Sequence, residues 1–407
     1  MKLMLICSAT FENNTLSCPA WINGMISQLA FQHDITLFSY GKSDSDTVTF
    51  EDNAIGWIDA VSYTDPDRFS ELIKKENPDV IVIFGTELKY SLSAVRLCVQ
   101  ANLMDRTALF AQGLACACAD HYAEGVPEKV IRRWTIRDVL RRTNLRKEIK
   151  NMYKAAAGEK EIIAAAHHFI GRSTLDKAVL RLYNPTAAYY HCNDMLRGGF
   201  YEGEWRYEAC EPCRIFISQY YYPLKGFHYL LKAAAMLKDK YPRLKIVAAG
   251  YNPIEKSVFE RELKDSSYIR YVKSLTRQLG LADHVEFAGV LSEKRMKEEY
   301  LKANVFVLPS TIENSPNSLA EAMMLGVPCV AADVGGVSDF AGHRKEAFLY
   351  PSSSTHLLAH YLDTVFSDPE QASLLGKNAK KRAEIDYDRT TNTAALVQAF
   401  QTIAKKS

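Results

Sequence analysis

The sequence predicts an α/β protein built from two Rossmann-like, doubly wound parallel-sheet domains facing across a cleft. Its 407 residues are too many for one compact core and suit two domains of roughly 150–200 residues each. Short, almost unbroken apolar runs alternate with helical patterns along the first half, and the same rhythm restarts in the second. Strands of that kind are buried on both faces, which is the signature of a parallel sheet covered by helices.

The first set of strands is expected at residues 3–7, 34–40, 79–85, 107–112 and 167–173, and the second at 214–219, 244–250, 284–289, 304–310 and 328–333. Asn184, Pro185 and the turn-rich stretch 198–205 separate the sets. The domains are therefore expected at 1–200 and 201–385, with a final helix at about 386–407 returning to the first. Ligands of open parallel sheets gather beyond the carboxyl ends of the strands, at the topological switch point. No GxGxxG follows the first strand of either half and no GxxxxGK[ST] occurs, which argues against nicotinamide, flavin and P-loop chemistry.

Apolar residues make up 47% and charged residues 24%, with a formal charge of +2, so composition points neither to disorder nor to a nucleic-acid partner. The apolar run after Met1 and Lys2 is too short for a signal segment, and no window reaches a membrane span. Nine cysteines without regular spacing suit reduced thiols, and a cytoplasmic location is expected. Cys210 and Cys213 have the spacing of half a zinc site, but no second pair follows, and Pro212 suits a turn.

The window 307–336 carries the chemistry. A strand ends at Pro309 and Ser310, a loop holds Glu313, and a helix starts near Asn317 with Glu321 in its first turns. Free amides at Asn317, Ser318 and Leu319, with the positive end of the helix dipole, would suit a diphosphate. One carboxylate could then face a sugar and the other a ribose diol. The plainer alternative makes Glu313 a solvated loop residue and Glu321 a partner of the dipole.

Glu313 and Glu321 are spaced as in the E-x7-E signature, and the window resembles that of retaining glycosyltransferases with the GT-B fold, the group 1 or family 4 class. Residues 217–250 resemble the first strand, phosphate loop and following helix of the donor domain, and 335–339 resemble a GGxxE loop with Asp339 in place of Glu. The resemblance implies a nucleotide-sugar donor held by Gln219, Lys225, Glu313, Asn314, Ser315, Asn317, Ser318, Leu319 and Glu321, with Glu313 and Lys225 catalytic. It also implies retention of anomeric configuration and a carbohydrate or glycolipid acceptor, as in surface polysaccharide biosynthesis. Gln219 stands where the class usually places Arg. On the acceptor side Glu87, Gln112, His121 and Arg172 are expected at or after strand ends of the first domain. Asp44, Ser45 and Asp46 form a DxD in a turn-rich loop, so neither a metal nor another cofactor is expected.

Residues 128–160 carry eleven Lys or Arg against four acidic residues, with apolar positions interleaved. This pattern suits an anionic membrane surface on the inner face of the membrane, or exposed helices packed on the first domain. Two other functions share the expected fold: a catalytically weak donor-binding partner subunit, and a nucleotide-sugar epimerase.

Overall fold

The computed structural model describes residues 1–12, 15–17, 20–30, 33–43, 46–50, 53–251 and 263–405. The chain forms two compact units. The first comprises Met1–Cys116, Lys154–Arg197 and Tyr387–Ser407, and the second Ala117–Tyr153 and Gly198–Asp386.

In unit 1 the strands are β1 (Lys2–Cys7), β4 (Asp34–Ser39), β5 (Thr47–Phe50), β6 (Asn53–Asp59), β7 (Val80–Phe84), β8 (Thr107–Phe110), β9 (His168–Gly171) and β10 (Ala188–His191). They form one sheet in the order β10-β9-β8-β7-β1-β4-β6-β5, while β2 (Thr10–Glu12) and β3 (Thr15–Ser17) pair as a hairpin. Every ladder of the large sheet is parallel except β5 with β6. Strand β1 shows why both faces need cover. Leu3 and Leu5 enter a core with Ile22, Met25 and Ile26 of helix Ala20–Leu29 and with Leu396, Phe400 and Ile403 of helix Arg389–Ala404. Met4 and Ile6 enter the opposite core, with Phe69, Val95, Ile163 and Leu180. Neighbouring strand residues point to opposite faces, so an apolar run five residues long, Leu3 to Cys7, requires helices on both.

Unit 2 contains β11 (Arg214–Ile217), β12 (Lys245–Ala249), β13 (Val285–Gly289), β14 (Val305–Leu308), β15 (Cys329–Ala332) and β16 (Phe348–Tyr350), all parallel, in the order β13-β12-β11-β14-β15-β16. Ile215, Ile246, Val305 and Val330 share a core with Phe227, Leu230, Val272, Leu358 and Leu362 from covering helices. On the other face Phe216 meets Tyr300 edge-on, with ring centroids 4.9 Å apart.

The expected boundary at 200 needs one correction. Residues 117–153, including most of the basic segment, cluster with unit 2 and not with the first domain. The cause is apolar burial: Val126, Val130 and Leu145 belong to the unit 2 core, and Ile131 and Ile149 pack against it. Gly125 permits the approach. Its φ is +73°, and a Cβ there would lie 2.1 Å from the Tyr229 hydroxyl oxygen. His228 Nε2 also meets the Glu124 carbonyl at 3.0 Å.

Candidate functional site

Strands β11 and β14 are neighbours, but β11 leads to β12 on one side and β14 to β15 on the other. This is the switch point of unit 2, where the two outgoing loops diverge and leave room for a ligand. The β11 loop ends in a 3-10 turn, Pro223–Lys225, and then Gly226 at φ +62°. A Cβ on Gly226 would sit 1.8 Å from the Pro309 carbonyl oxygen, so glycine lets the β11 loop touch the β14 loop. The Thr311 amide donates to the Leu224 carbonyl at 2.8 Å and fixes that contact.

The contact brings together Lys225 and Glu313, the two residues for which the family resemblance implies a catalytic role. Lys225 Nζ donates to Glu313 Oε1 at 2.5 Å, with side-chain exposures of 15% and 11%. The same oxygen accepts from Ser310 Oγ at 2.6 Å, and Gly336 N donates to the Glu313 carbonyl at 3.0 Å. Glu313 is therefore an anchored carboxylate and not a solvated loop residue. Burial alone would lower the Lys225 pKa, but Glu313 and Tyr222 outweigh it and hold it above the ordinary lysine value. Lys225 is thus a permanent cation at neutral pH. Tyr222, pushed up to about 12 chiefly by burial, remains a donor, and its hydroxyl bonds Gln219 Oε1 at 3.2 Å.

Helix Asn317–Leu325 starts after Pro316, with no side-chain cap. Ser315 Oγ and Asn317 Oδ1 are buried without a hydrogen-bond partner among the described residues. Unsatisfied buried groups at a helix N-terminus suit a polar ligand. One expected amide is spent, however. Leu319 N donates to the Pro316 carbonyl at 3.0 Å because the first turn tightens, and Leu319 itself is buried. Glu321 is buried beside Tyr300, whose hydroxyl lies 2.9 Å from the Ser318 carbonyl and 3.5 Å from Glu321 Oε2. Asn314 is buried in the same loop.

The residues expected on the acceptor side divide. Glu87 and Gln112 follow β7 and β8 in unit 1. Burial, helped by the Glu159 carboxylate, raises the Glu87 carboxyl to about 7 against the opposing Gly113 amide and Arg172. Glu87 Oε1 accepts from Gly113 N at 3.2 Å, and Oε2 is buried without a hydrogen-bond partner among the described residues. Arg172 is not a free ligand for an acceptor. It is 2% exposed, pairs with Asp194 and donates to the Ala111 carbonyl at 2.7 Å, so it braces the strand ends. His121 belongs to unit 2, where its carbonyl accepts from Thr311 Oγ1 at 2.9 Å and its Nδ1 lies 2.8 Å from Glu124 Oε2. Sequence reasoning missed Ser310, Tyr222 and Tyr300. Ser310 next to a strand end was a usable signal, whereas the tyrosines had none.

Asp44 and Ser45 of the DxD lie outside the described residues. Among the described residues no three His, Cys, Asp or Glu side chains are grouped as metal ligands. Cys210 and Cys213 are free thiols, with Cys213 in a turn at φ +61°. Burial pushes the Cys210 thiol up to about 11, far from a reactive thiolate.

Comparison with known proteins agrees with this architecture. TuaC of Bacillus subtilis strain 168, named as a teichuronic acid biosynthesis glycosyltransferase, is 31% identical over 166 residues, which is 38% of this chain and 41% of TuaC. The chain thus spans less than half the length of this curated relative. Two solved structures share the fold over the whole chain. Sucrose-phosphate synthase from Thermosynechococcus elongatus has a TM-score of 0.70 at 16% identity, covering 100% of both chains. HepE of Anabaena, solved in complex with UDP-glucose, has a TM-score of 0.68 at 14% identity, covering 99% of this chain and 100% of HepE. The protein is an α/β molecule with the two parallel-sheet domains of the GT-B fold, and its residues 211–382 match the family of glycosyl transferases group 1.

Proposed function

We propose that the protein transfers a sugar, with retention of configuration and without a metal, from a nucleotide-sugar to a carbohydrate or lipid-linked glycan acceptor in surface polysaccharide synthesis. The observation that carries this reading is the Lys225–Glu313 pair, held at the switch point of unit 2 beside a helix N-terminus with unsatisfied polar groups. In the reaction the bond from the anomeric carbon to the diphosphate breaks and its electron pair leaves with the diphosphate. A bond to an acceptor hydroxyl oxygen forms, and that hydroxyl's proton ends on the released phosphate or in solvent. Lys225 would neutralise charge on the leaving diphosphate, an interaction that strengthens as the bond breaks. Glu313, released from Lys225 by the incoming phosphates, would face the sugar, and Glu321 the ribose. The name of TuaC supports an envelope polysaccharide, and the bound molecule in the HepE structure supports a nucleotide-sugar.

A membrane surface fits the same reading. Trp134, Ile136, Val139 and Leu140 are exposed among Arg132, Arg133, Arg142 and Lys147, and Lys147 Nζ lies 5.2 Å from the Trp134 ring centre. Exposed apolar side chains within a cationic stretch suit an anionic lipid layer. No helix among the described residues is long and apolar enough to cross a membrane.

The test incubates the full chain with a panel of nucleotide-sugars and lipid-linked glycans, with and without chelator. Glycosylated lipid formed in both conditions is expected. Product that needs added manganese would overturn the metal-free mechanism. Conversion of the donor sugar without acceptor would favour an epimerase, and donor binding without product in any condition a partner subunit.

A further inference from the structure

Beside the Lys225 loop, a cavity of about 590 Å³ opens at the carboxyl ends of β11, β12 and β13. Its lining includes Gln219 after β11, Tyr251 after β12 and Val290 after β13, together with three cations, Arg137, Arg141 and Lys264, and no carboxylate among the described residues. Gly250, at φ +113°, leaves room for the Tyr221 ring, which a Cβ would approach to 2.8 Å. A smaller cavity of about 290 Å³ shares Arg137, Tyr221 and Ser266 with the first and reaches Tyr222. Ser267 also lines it; this side chain is 2% exposed, and its hydroxyl is without a partner among the described residues. It stands at the first position of helix Ser267–Gln278, so the helix dipole adds positive potential to the cations.

Arg137 and Arg141 come from the segment that packs on unit 2 from outside residues 211–382. They lie four residues apart, at helix Ile136–Leu140 and its C-cap, and so share a helix face. Arg137 is anchored, with Nη1 at 3.0 Å from Asp138 and 3.7 Å from Glu148. Arg141 and Lys264 are exposed and form no ion pair or side-chain hydrogen bond among the described residues. Like charges gathered around one hollow repel unless an anion enters it.

We propose that Arg137 and Arg141 bind the donor, supplying guanidinium charge to its diphosphate where the β11 loop offers the single cation Lys225 and, at position 219, the neutral Gln219. The proposal rests on the glycosyl-transfer reading and adds a binding element from outside the group 1 segment. Tyr221, Ile269 and Leu291 line the same cavity and give the nucleoside an apolar surface. Guanidinium groups suit this task because their planar donors match paired phosphate oxygens.

Titration calorimetry of the full chain with UDP, GDP and inorganic pyrophosphate tests it, using Arg141→Gln, Arg137→Lys and, as an exposed control outside the cavity, Arg146→Gln. Arg141 forms no ion pair or side-chain hydrogen bond among the described residues, so its variant is expected to fold even if the change at Arg137 disturbs Asp138. The expected result is a loss of about 10-fold or more in affinity for the preferred nucleotide in Arg141→Gln, with a weaker salt dependence, and no change in Arg146→Gln. Nucleotide bound equally well by wild type and Arg141→Gln overturns the inference and leaves the transfer reading standing. Pyrophosphate binding that depends on Arg141, with neither nucleotide bound, supports the anion pocket but counts against the donor reading. Binding of none of the three overturns both.

Discussion

Lys225 Nζ and Glu313 Oε1 are 2.5 Å apart although 88 residues separate them in sequence, and the pair ties the β11 loop to the β14 loop at the switch point of unit 2. A cation already satisfied by a carboxylate must exchange partners when a diphosphate arrives. Lys225→Ala removes the proposed phosphate partner and leaves Glu313 paired with Ser310. Nucleoside diphosphate affinity is expected to fall by about 10- to 150-fold, the usual range of roughly 1.5–3 kcal/mol for a bond to a charged group. Calorimetry with the free diphosphate measures it, and affinity within twofold of wild type would remove Lys225 from the phosphate site.

The Lys225–Glu313 approach depends on Gly226. An added Cβ would collide with the Pro309 carbonyl oxygen, 1.8 Å away, at a backbone φ of +62° that L side chains resist. Gly226→Ala is expected to destabilise unit 2 by roughly 2–4 kcal/mol, from left-handed strain plus overpacking. Urea unfolding reads this directly, and a loss below about 0.5 kcal/mol would mean the loops adjust freely.

Sequence made the Lys225–Glu313 cluster readable because its parts are local. The loop, the two glutamates and the helix start fall within residues 307–336, and the β11 loop lies in one stretch. What stayed hidden depends on partners distant in sequence. The apolar positions of 128–160 announce an amphipathic segment but not which sheet it covers. That choice is made by Gly125 against Tyr229 and by Val130 in the unit 2 core. Arg172 at a strand end reads as a ligand-facing cation until Asp194 and the Ala111 carbonyl are seen to hold it. The Leu319 amide is lost to a tightened first turn, a detail of geometry that residue types do not encode.

Glu87 predicts an inverted pH dependence of stability. Its folded pKa, about 7, lies above the ordinary glutamate value of 4.5, so between these values the folded state holds more proton than the unfolded one. Stability from this group is present below pH 4.5 and is lost as pH rises through 7. The loss is on the order of 3 kcal/mol at most, at 1.36 kcal/mol per unit. Glu159, Arg172 and the Gly113 amide act on Glu87 in wild type. Glu87→Gln should flatten the slope of unfolding free energy between pH 5 and 7.5. An unchanged slope in the variant would show that the group ionises normally.

Exposed Trp134, Val139 and Leu140 in their basic surroundings predict binding to vesicles containing anionic phospholipid, weakened by added salt and by Trp134→Ala together with Val139→Ser. Each nearby Lys or Arg contributes about 1 kcal/mol at the membrane surface. Sedimentation with neutral and anionic vesicles checks it, and equal partitioning onto both would contradict an electrostatic contact.

The two glutamates should fail differently when neutralised. Glu321 is buried beside Tyr300 and, in the proposed arrangement, accepts bonds from the ribose diol. Glu321→Gln exchanges a charge-assisted contact for a weaker one and should cost about 10- to 150-fold in nucleotide affinity. Glu313, in the same proposed arrangement, faces the sugar once Lys225 turns to the phosphates, so Glu313→Gln would remove an interaction that grows as charge develops at the anomeric carbon. Such a loss appears in the rate of transfer and not in diphosphate binding. The Lys225 contact sharpens this further. Glu313→Gln also removes the charge that competes with the diphosphate for Lys225, so affinity for the free diphosphate should stay level or rise while single-turnover transfer slows. If Glu313→Gln loses diphosphate affinity as severely as Glu321→Gln, or keeps the full transfer rate, Glu313 does not act at the sugar.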